Sequence, residues 1–244
     1  MRRYVVSAGR TGTVFLTQVL NMLPGIEAIH EPTPSRWQMM LANLRNDTGI
    51  GGSILRMWFE NSRRNRFSDR GVTVELNPFL PALADLLPDP KTETRVVHLV
   101  RHPETWAQSM TVFKASSRFR DVIDYVPYSK PYPSPRPESW SKLPEGEKAL
   151  WRWVWCNTRL GKLEESVTSY CVVRFEDLLG DDPQKRQAAS ADFSSTLSLD
   201  QSLPEDFGRI STGRNPRPDG DIEIGSETVR RICSELARKY QYSV

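Results

Sequence analysis

Apolar residues along the chain recur in two rhythms, and the rhythms alternate. Tyr4-Val5-Val6-Ser7 is short, β-branched and followed by Gly9, which reads as a buried strand. Phe15, Leu16, Val19, Leu20 and Leu23 then return at helical spacing until Pro24-Gly25 ends the helix. Ile26 to His30, Val72 to Leu76, Arg95 to Val100 and Ser169 to Arg174 read as further strands. A helix is expected from Pro103 to about Ser116, because proline and Glu104 suit a first turn. A longer one runs from about Glu145 to Ser166. The last starts at Ser226 as its cap and buries Val229, Ile232, Cys233, Leu236 and Tyr240.

Strands alternating with helices predict an α/β architecture. We expect a three-layer, P-loop-type fold whose central, mostly parallel sheet has about four to five strands covered on both faces. Residues 1–244 should form one domain. Three stretches break the rhythm. Residues 35–70 look helical and are rich in arginine. Residues 125–144 carry Pro127, Pro131, Pro133, Pro135, Pro137 and Pro144 among Tyr125, Tyr128, Tyr132 and Trp140, which suits a substrate lid or a rigid connector. Residues 180–222 are polar and read as irregular. Long irregular segments in a domain are often binding loops.

Composition narrows the class of function. A hydrophobic share of 38% against 26% charged supports a packed core over disorder. A net charge of +3 fits an anionic ligand in a local basic site better than a surface that coats nucleic acid. Cys156, Cys171 and Cys233 are odd in number, with no CxxC pair and no histidine at ligand spacing. They exclude a complete disulfide framework, suggest no metal and read as reduced core thiols. The apolar run at the N-terminus is far shorter than the ~20 residues a membrane span needs, so a cytoplasmic protein is expected.

Candidate chemistry begins at Ser7-Ala8-Gly9-Arg10-Thr11-Gly12-Thr13, between the first strand and the first helix. Two glycines let the chain curl so that backbone N–H groups converge at the positive end of a helix. Arg10 adds a guanidinium, and Thr11 and Thr13 add hydroxyls, which is chemistry for holding a phosphate. A Walker A loop requires Lys-Ser/Thr where Thr13-Val14 stands, which disfavours a magnesium-dependent NTPase. Further on, Leu99-Val100-Arg101-His102-Pro103 ends a buried strand, and Ser109 follows on the next helix. Arg101 would emerge at the carboxyl edge of the sheet, where open α/β sheets bind ligands. A guanidinium and a hydroxyl can together grip a second phosphate.

Taken together, these segments resemble the sulfotransferases that use 3′-phosphoadenosine-5′-phosphosulfate (PAPS). That family opens with P-[KR]-[ST]-G-[ST]-[ST], matched by Arg10-Thr11-Gly12-Thr13 with Gly9 in place of the proline. Its second motif, L-[VL]-R-[ND]-P with a later serine, corresponds to Leu99-Val100-Arg101-His102-Pro103, with His102 at the [ND] position, and Ser109. Its [RH]-[YF]-E-D-L is matched by Arg174-Phe175-Glu176-Asp177-Leu178. Ser211-Thr212-Gly213-Arg214-Asn215-Pro216 is similar to the cofactor-wrapping S-K-G-R-X-X-P, with Thr212 at the lysine. The resemblance implies that Gly9, Arg10, Thr11, Gly12 and Thr13 hold the 5′-phosphosulfate. It implies that Arg101 and Ser109 hold the 3′-phosphate, that Gly213 and Arg214 wrap the nucleotide, and that no metal is needed. The product would be 3′,5′-adenosine bisphosphate (PAP).

Sulfuryl transfer needs positioning, fixed dipoles and a proton acceptor for a weakly nucleophilic hydroxyl. His30-Glu31-Pro32 follows the second strand, and in branches of the family a glutamate in this region is the base. Successive strand residues point to opposite faces, so one of the pair should reach the acceptor; Glu31 is favoured and His30 is the alternative. Arg10 would stabilise charge on the departing phosphate. Glu75-Leu76-Asn77-Pro78 is similar to an E-K-[ST]-P segment of carbohydrate sulfotransferases, which leaves Glu75 as a further candidate. Trp37, Met39, Met40, Trp58 and Phe59, with Arg56, Arg63, Arg64 and Arg66, form either an amphipathic hairpin with solvated arginines or a wall for an apolar or acidic acceptor. Trp151, Trp153 and Trp155 read as core. The acceptor is expected to be a small molecule, such as a secondary metabolite or saccharide. The competing readings are a small-molecule kinase with a degenerate loop and a non-catalytic nucleotide-binding protein.

Overall fold

A computed structural model describes residues 1–67, 71–111, 128–131, 133–204 and 224–244. Five strands form one parallel sheet: β1 (Arg2–Ser7), β2 (Ile26–His30), β3 (Val72–Asn77), β4 (Thr94–Val100) and β5 (Ser169–Arg174), in the order β2-β3-β1-β4-β5. Neighbours are in parallel register throughout, with Val5 opposite both Leu76 and Val97. The central strand β1 is flanked on both sides, which explains why its apolar run is continuous rather than alternating.

Successive residues of β1 feed opposite layers, as a period of two requires. Val5, with Leu76, Val97, Leu99 and Val173, meets helix α1 (Thr13–Asn21) through Leu16, Val19 and Leu20. Tyr4 and Val6 face α2 (Ser35–Thr48) and α3 (Gly52–Arg66), where Met39, Ala42, Leu55 and Phe59 are buried. The 3-10 segment Leu80–Leu86 completes that layer. Near the carboxyl edge, Ala8 and Val100 pack with α4 (Pro103–Thr111) and α5 (Glu145–Gly161) through Trp106, Leu150 and Trp153. Each fully buried side chain of this size contributes roughly 1.5–3 kcal/mol. The expected three layers and five-stranded sheet are present.

Some local expectations are corrected. Residues 180–222 were expected to be irregular. After the short helix α6 (Phe175–Leu179), a full helix, α7 (Pro183–Thr196), packs Ala189 and Phe193 under β5. Asp182 caps it by accepting from the N–H groups of Gln184 and Lys185, and Pro183 occupies its first turn. Its buried face includes Ser190, Ser194 and Thr196, so hydrophobic periodicity did not reveal it. The helix expected to reach Ser166 leaves α-geometry at Gly161 and tightens into a 3-10 turn, Lys162–Glu165. The last helix, α8 (Ser226–Lys239), is preceded by Gly225 and has no side-chain cap, so Ser226 is its first residue and not its cap. Of the three tryptophans on α5, Trp153 alone is fully buried.

Candidate functional site

The loop from β1 to α1 is built on left-handed backbone. Gly9, Arg10 and Gly12 have φ of 86°, 55° and 75°. A Cβ on Gly12 would lie 2.5 Å from Leu179 Cδ1, so glycine is needed there for conformation and for space. Gly12 O accepts the first helical hydrogen bond, from Leu16 N–H at 2.9 Å. No side chain caps α1, and the start of a helix is a favourable place for an anion. The Thr11 hydroxyl is buried with no hydrogen-bond partner among the described residues. A loop that spends two glycines and a buried, unanswered hydroxyl is shaped for an anion with several oxygens.

The second motif closes on this loop. Arg10 Nε donates to Ser109 Oγ at 3.0 Å, and Arg101 Nη1 donates to the Arg10 carbonyl at 3.1 Å. Arg101 Nε reaches Thr105 Oγ1 at 3.3 Å, and its guanidinium lies 4.7 Å above the Phe175 ring. Two indoles pin the backbone of both motifs: Trp106 Nε1 donates to Gly9 O at 2.6 Å and Trp153 Nε1 to Arg101 O at 2.9 Å. Burial lowers the Arg10 pKa from its ordinary value.

The third motif proves to be a brace. Arg174 holds Asp177 through two bonds of 2.8 and 2.9 Å. Glu176 Oε1 accepts from His102 N–H at 2.9 Å, and its Oε2 accepts from Tyr242 O–H at 2.7 Å. The turn after β4 is thereby fixed from α6, whose Glu176 is in turn held by Tyr242 in the segment after α8. A cavity of about 640 Å³ opens beside it, lined by Arg101, His102, Thr105, Phe175, Glu176 and Tyr242. Trp106, Phe175 and Tyr242 were not assigned roles from sequence. Phe175 lay within a recognised motif, whereas nothing local marked Tyr242.

At the end of β2 the strand alternation fails. Glu31 adopts φ 43°, so it does not continue to the face opposite His30. Its Oε1 lies 4.0 Å from His30 Nε2, and His30 Nε2 shares a hydrogen bond of 3.0 Å with Thr13 Oγ1 of the phosphate loop. Both residues therefore reach the same place, correcting the expectation that one would. His30 is engaged with the loop while Glu31 keeps a partly exposed carboxylate. Burial lowers the His30 pKa; it raises that of Glu31, against which Arg36 pulls down.

Glu75 is excluded as an accessible site group. It is fully buried between Arg63 and Arg66. The hairpin of α2 and α3 likewise buries Met39, Phe59 and Arg63, so these form no acceptor wall. Trp37 is 62% exposed and Val14 57% exposed. Residues 211–216, with Gly213 and Arg214, lie outside the described residues, as do 125–127 and 132 of the expected lid. The described remainder of that segment is strapped to α2: Asn43 Nδ2 donates to the carbonyls of Tyr128 and Lys130, and Arg136 pairs with Asp47 at 2.7 Å. Among the described residues no cluster of His, Cys, Asp or Glu is disposed to hold a metal, and no helix is long and apolar enough to cross a membrane.

The sequence matches no protein-family model and no curated protein. Solved structures do match the fold. The sulfotransferase domain of the Synechococcus PCC 7002 olefin synthase aligns with a TM-score of 0.55 at 16% identity, over 100% of this chain and 95% of that one. Mouse sulfotransferase SULT7A1, solved with PAP, aligns with a TM-score of 0.51 at 13% identity, over 99% of this chain and 85% of that one. The chain has the fold of sulfotransferases.

Proposed function

We propose that the protein is a PAPS-dependent sulfotransferase acting on a small hydroxyl- or amine-bearing acceptor. The observation that carries this reading is the junction of Arg10, Ser109 and Arg101, which joins two phosphate grips at the carboxyl edge of the sheet. The residues fit the donor. The loop from Gly9 to Thr13, with the buried Thr11 hydroxyl, suits a 5′-phosphosulfate, and Arg101 with Ser109 suits a 3′-phosphate. PAPS would supply an activated sulfuryl group whose leaving group is a phosphate.

The chain's own residues then divide the work. Loop N–H groups, the start of α1 and Arg10 stabilise charge growing on the departing phosphate oxygen. Glu31 accepts the proton of the acceptor hydroxyl as its oxygen forms the bond to sulfur and the sulfur–phosphate oxygen bond breaks. His30, bonded to Thr13, keeps the β2 end registered against the loop. The acceptor in this reading is a small organic molecule such as a secondary metabolite or saccharide. Three unpaired cysteines support a reducing, cytoplasmic setting.

The test is calorimetry without metal. PAP should bind much more tightly than 5′-AMP, since only PAP offers a 3′-phosphate. Equal affinities, or tight binding of ATP that requires Mg²⁺, would sink the reading in favour of a kinase.

A further inference from the structure

A carboxylate outside the Gly9–Thr13 loop is bonded on both oxygens. Glu75, in β3, has no exposed surface. Its Oε1 accepts from Arg63 Nη2 and from Asn77 Nδ2, each at 2.8 Å, and its Oε2 accepts from Arg66 Nη1 at 2.5 Å. Two guanidiniums answer its charge, as a buried carboxylate requires.

Those guanidiniums are placed differently. Arg63 is wholly buried, bonds Gln38 and Ser62, and sits 3.9 Å above the Phe59 ring, so it locks α3 to α2. Arg66 is the last residue of α3 and reaches out of the cluster. Its Nη2 donates to the carbonyl of Thr33 at 3.1 Å. Thr33 lies in the short loop from β2 to α2, the loop that carries Glu31. From the same cluster, Asn77 Nδ2 donates to Ser35 Oγ at 2.9 Å, where α2 begins.

That loop must hold Glu31 in a conformation unfavourable to a residue with a Cβ, which persists only where the surroundings impose it. Glu31 N–H bonds Leu76 O at 3.1 Å and Ser35 N–H bonds Pro32 O at 2.8 Å. Arg66 supplies a side-chain clamp on the stretch between them. The geometry points to Arg66 as a positioning residue: by tying the Thr33 carbonyl to Glu75, it sets where the Glu31 carboxylate stands relative to His30 and the phosphate loop. This rests on Glu31 as the proton acceptor proposed above, but the placement can be measured without turnover.

The readout is the titration of the His30 imidazole followed by NMR, with His30→Gln to assign its signal. A carboxylate 4.0 Å away favours the imidazolium, so Glu31→Gln should lower the His30 pKa. Arg66→Ala should lower it too, toward the same value, as Glu31 moves off. The sign discriminates. Deleting a cation acts on an imidazole through charge alone by raising its pKa, so a fall reports displacement of Glu31. Arg36, the cation that acts on Glu31, is present in every variant. Arg66→Lys keeps a charge beside Glu75 but lacks the fork that grips Thr33 as well, and should give a smaller fall. It also serves if the alanine variant fails to fold. PAP affinity should not change in any Arg66 variant; loss of PAP binding by the unmutated protein would strike the nucleotide reading and leave the titration comparison standing. An Arg66 variant whose His30 titrates as in the unmutated protein, or higher, overturns the role. So does a Glu31→Gln variant that leaves His30 unmoved.

Discussion

The two halves of the proposed site, one for the nucleotide and one for the acceptor, are built in opposite ways. The nucleotide half is local: a loop of Gly9, Arg10, Thr11 and Gly12, and a strand end at Arg101 with Ser109 on the next helix. Each piece is a short segment whose geometry follows from its own residues. The acceptor half is assembled at a distance. Glu31 is set by an unusual backbone angle, by Leu76 across the sheet, and by an arginine from α3 that is itself held by Glu75. Binding a phosphate calls for one repeated solution, converging N–H groups with a cation, which a short motif can encode. Placing a proton acceptor for a particular hydroxyl calls for a geometry that no short motif holds.

The largest effect should come from the acceptor half. Glu31→Gln keeps the size and removes the proton acceptor, so turnover should fall about 10²–10⁴-fold while PAP affinity holds. Activity should be lost as pH falls through the Glu31 pKa, because a protonated carboxyl cannot accept. Burial raises that pKa, so the acidic limb should sit above the ordinary carboxylate range. His30→Gln should act on both halves, since His30 bonds Thr13 of the loop. If His30→Gln abolishes turnover and Glu31→Gln does not, the two roles exchange.

Next in size is the nucleotide half. Arg101→Ala should cost roughly 2–3 kcal/mol of PAP binding, about 30- to 150-fold, and should erase the preference over 5′-AMP. Calorimetry on both nucleotides measures it. A uniform loss for both would mean that Arg101 shapes the loop through the Arg10 carbonyl and does not bind the 3′-phosphate itself.

The smallest effect concerns the segment around 128–136. Its bonds to Asn43 and Asp47 favour a rigid connector over a lid there. Amide exchange of its described residues should be slow in the free protein and unchanged by PAP, and Asn43→Ala should speed it without altering PAP affinity. Protection that appears only with ligand would restore the lid.

The same contrast decides what could be read from sequence. β2 and β5 end where their apolar runs end, at His30 and Arg174. The left-handed turn of the loop from β1 to α1 was legible because Gly9 and Gly12 are punctuation that physics ties to positive φ. α7 was not, because three of its five buried residues are serine or threonine. Glu31 was named, but its reach was misjudged, since strand alternation gives no warning of a left-handed residue at a strand end. Glu75 looked like site chemistry and is instead a buried carboxylate held by Arg63 and Arg66, a placement visible only once α3 is folded against β3.

The central claim is that these halves cooperate in sulfuryl transfer, and the most direct measurement is single-turnover transfer of labelled sulfur from PAPS to a panel of small hydroxyl and amine acceptors, without added metal. The account predicts a labelled acceptor and stoichiometric PAP with the unmutated protein, and both formed about 10²–10⁴-fold more slowly with Glu31→Gln, which should still bind PAP. Absence of transfer to every acceptor despite tight PAP binding would contradict it and indicate a protein that holds the nucleotide without using it.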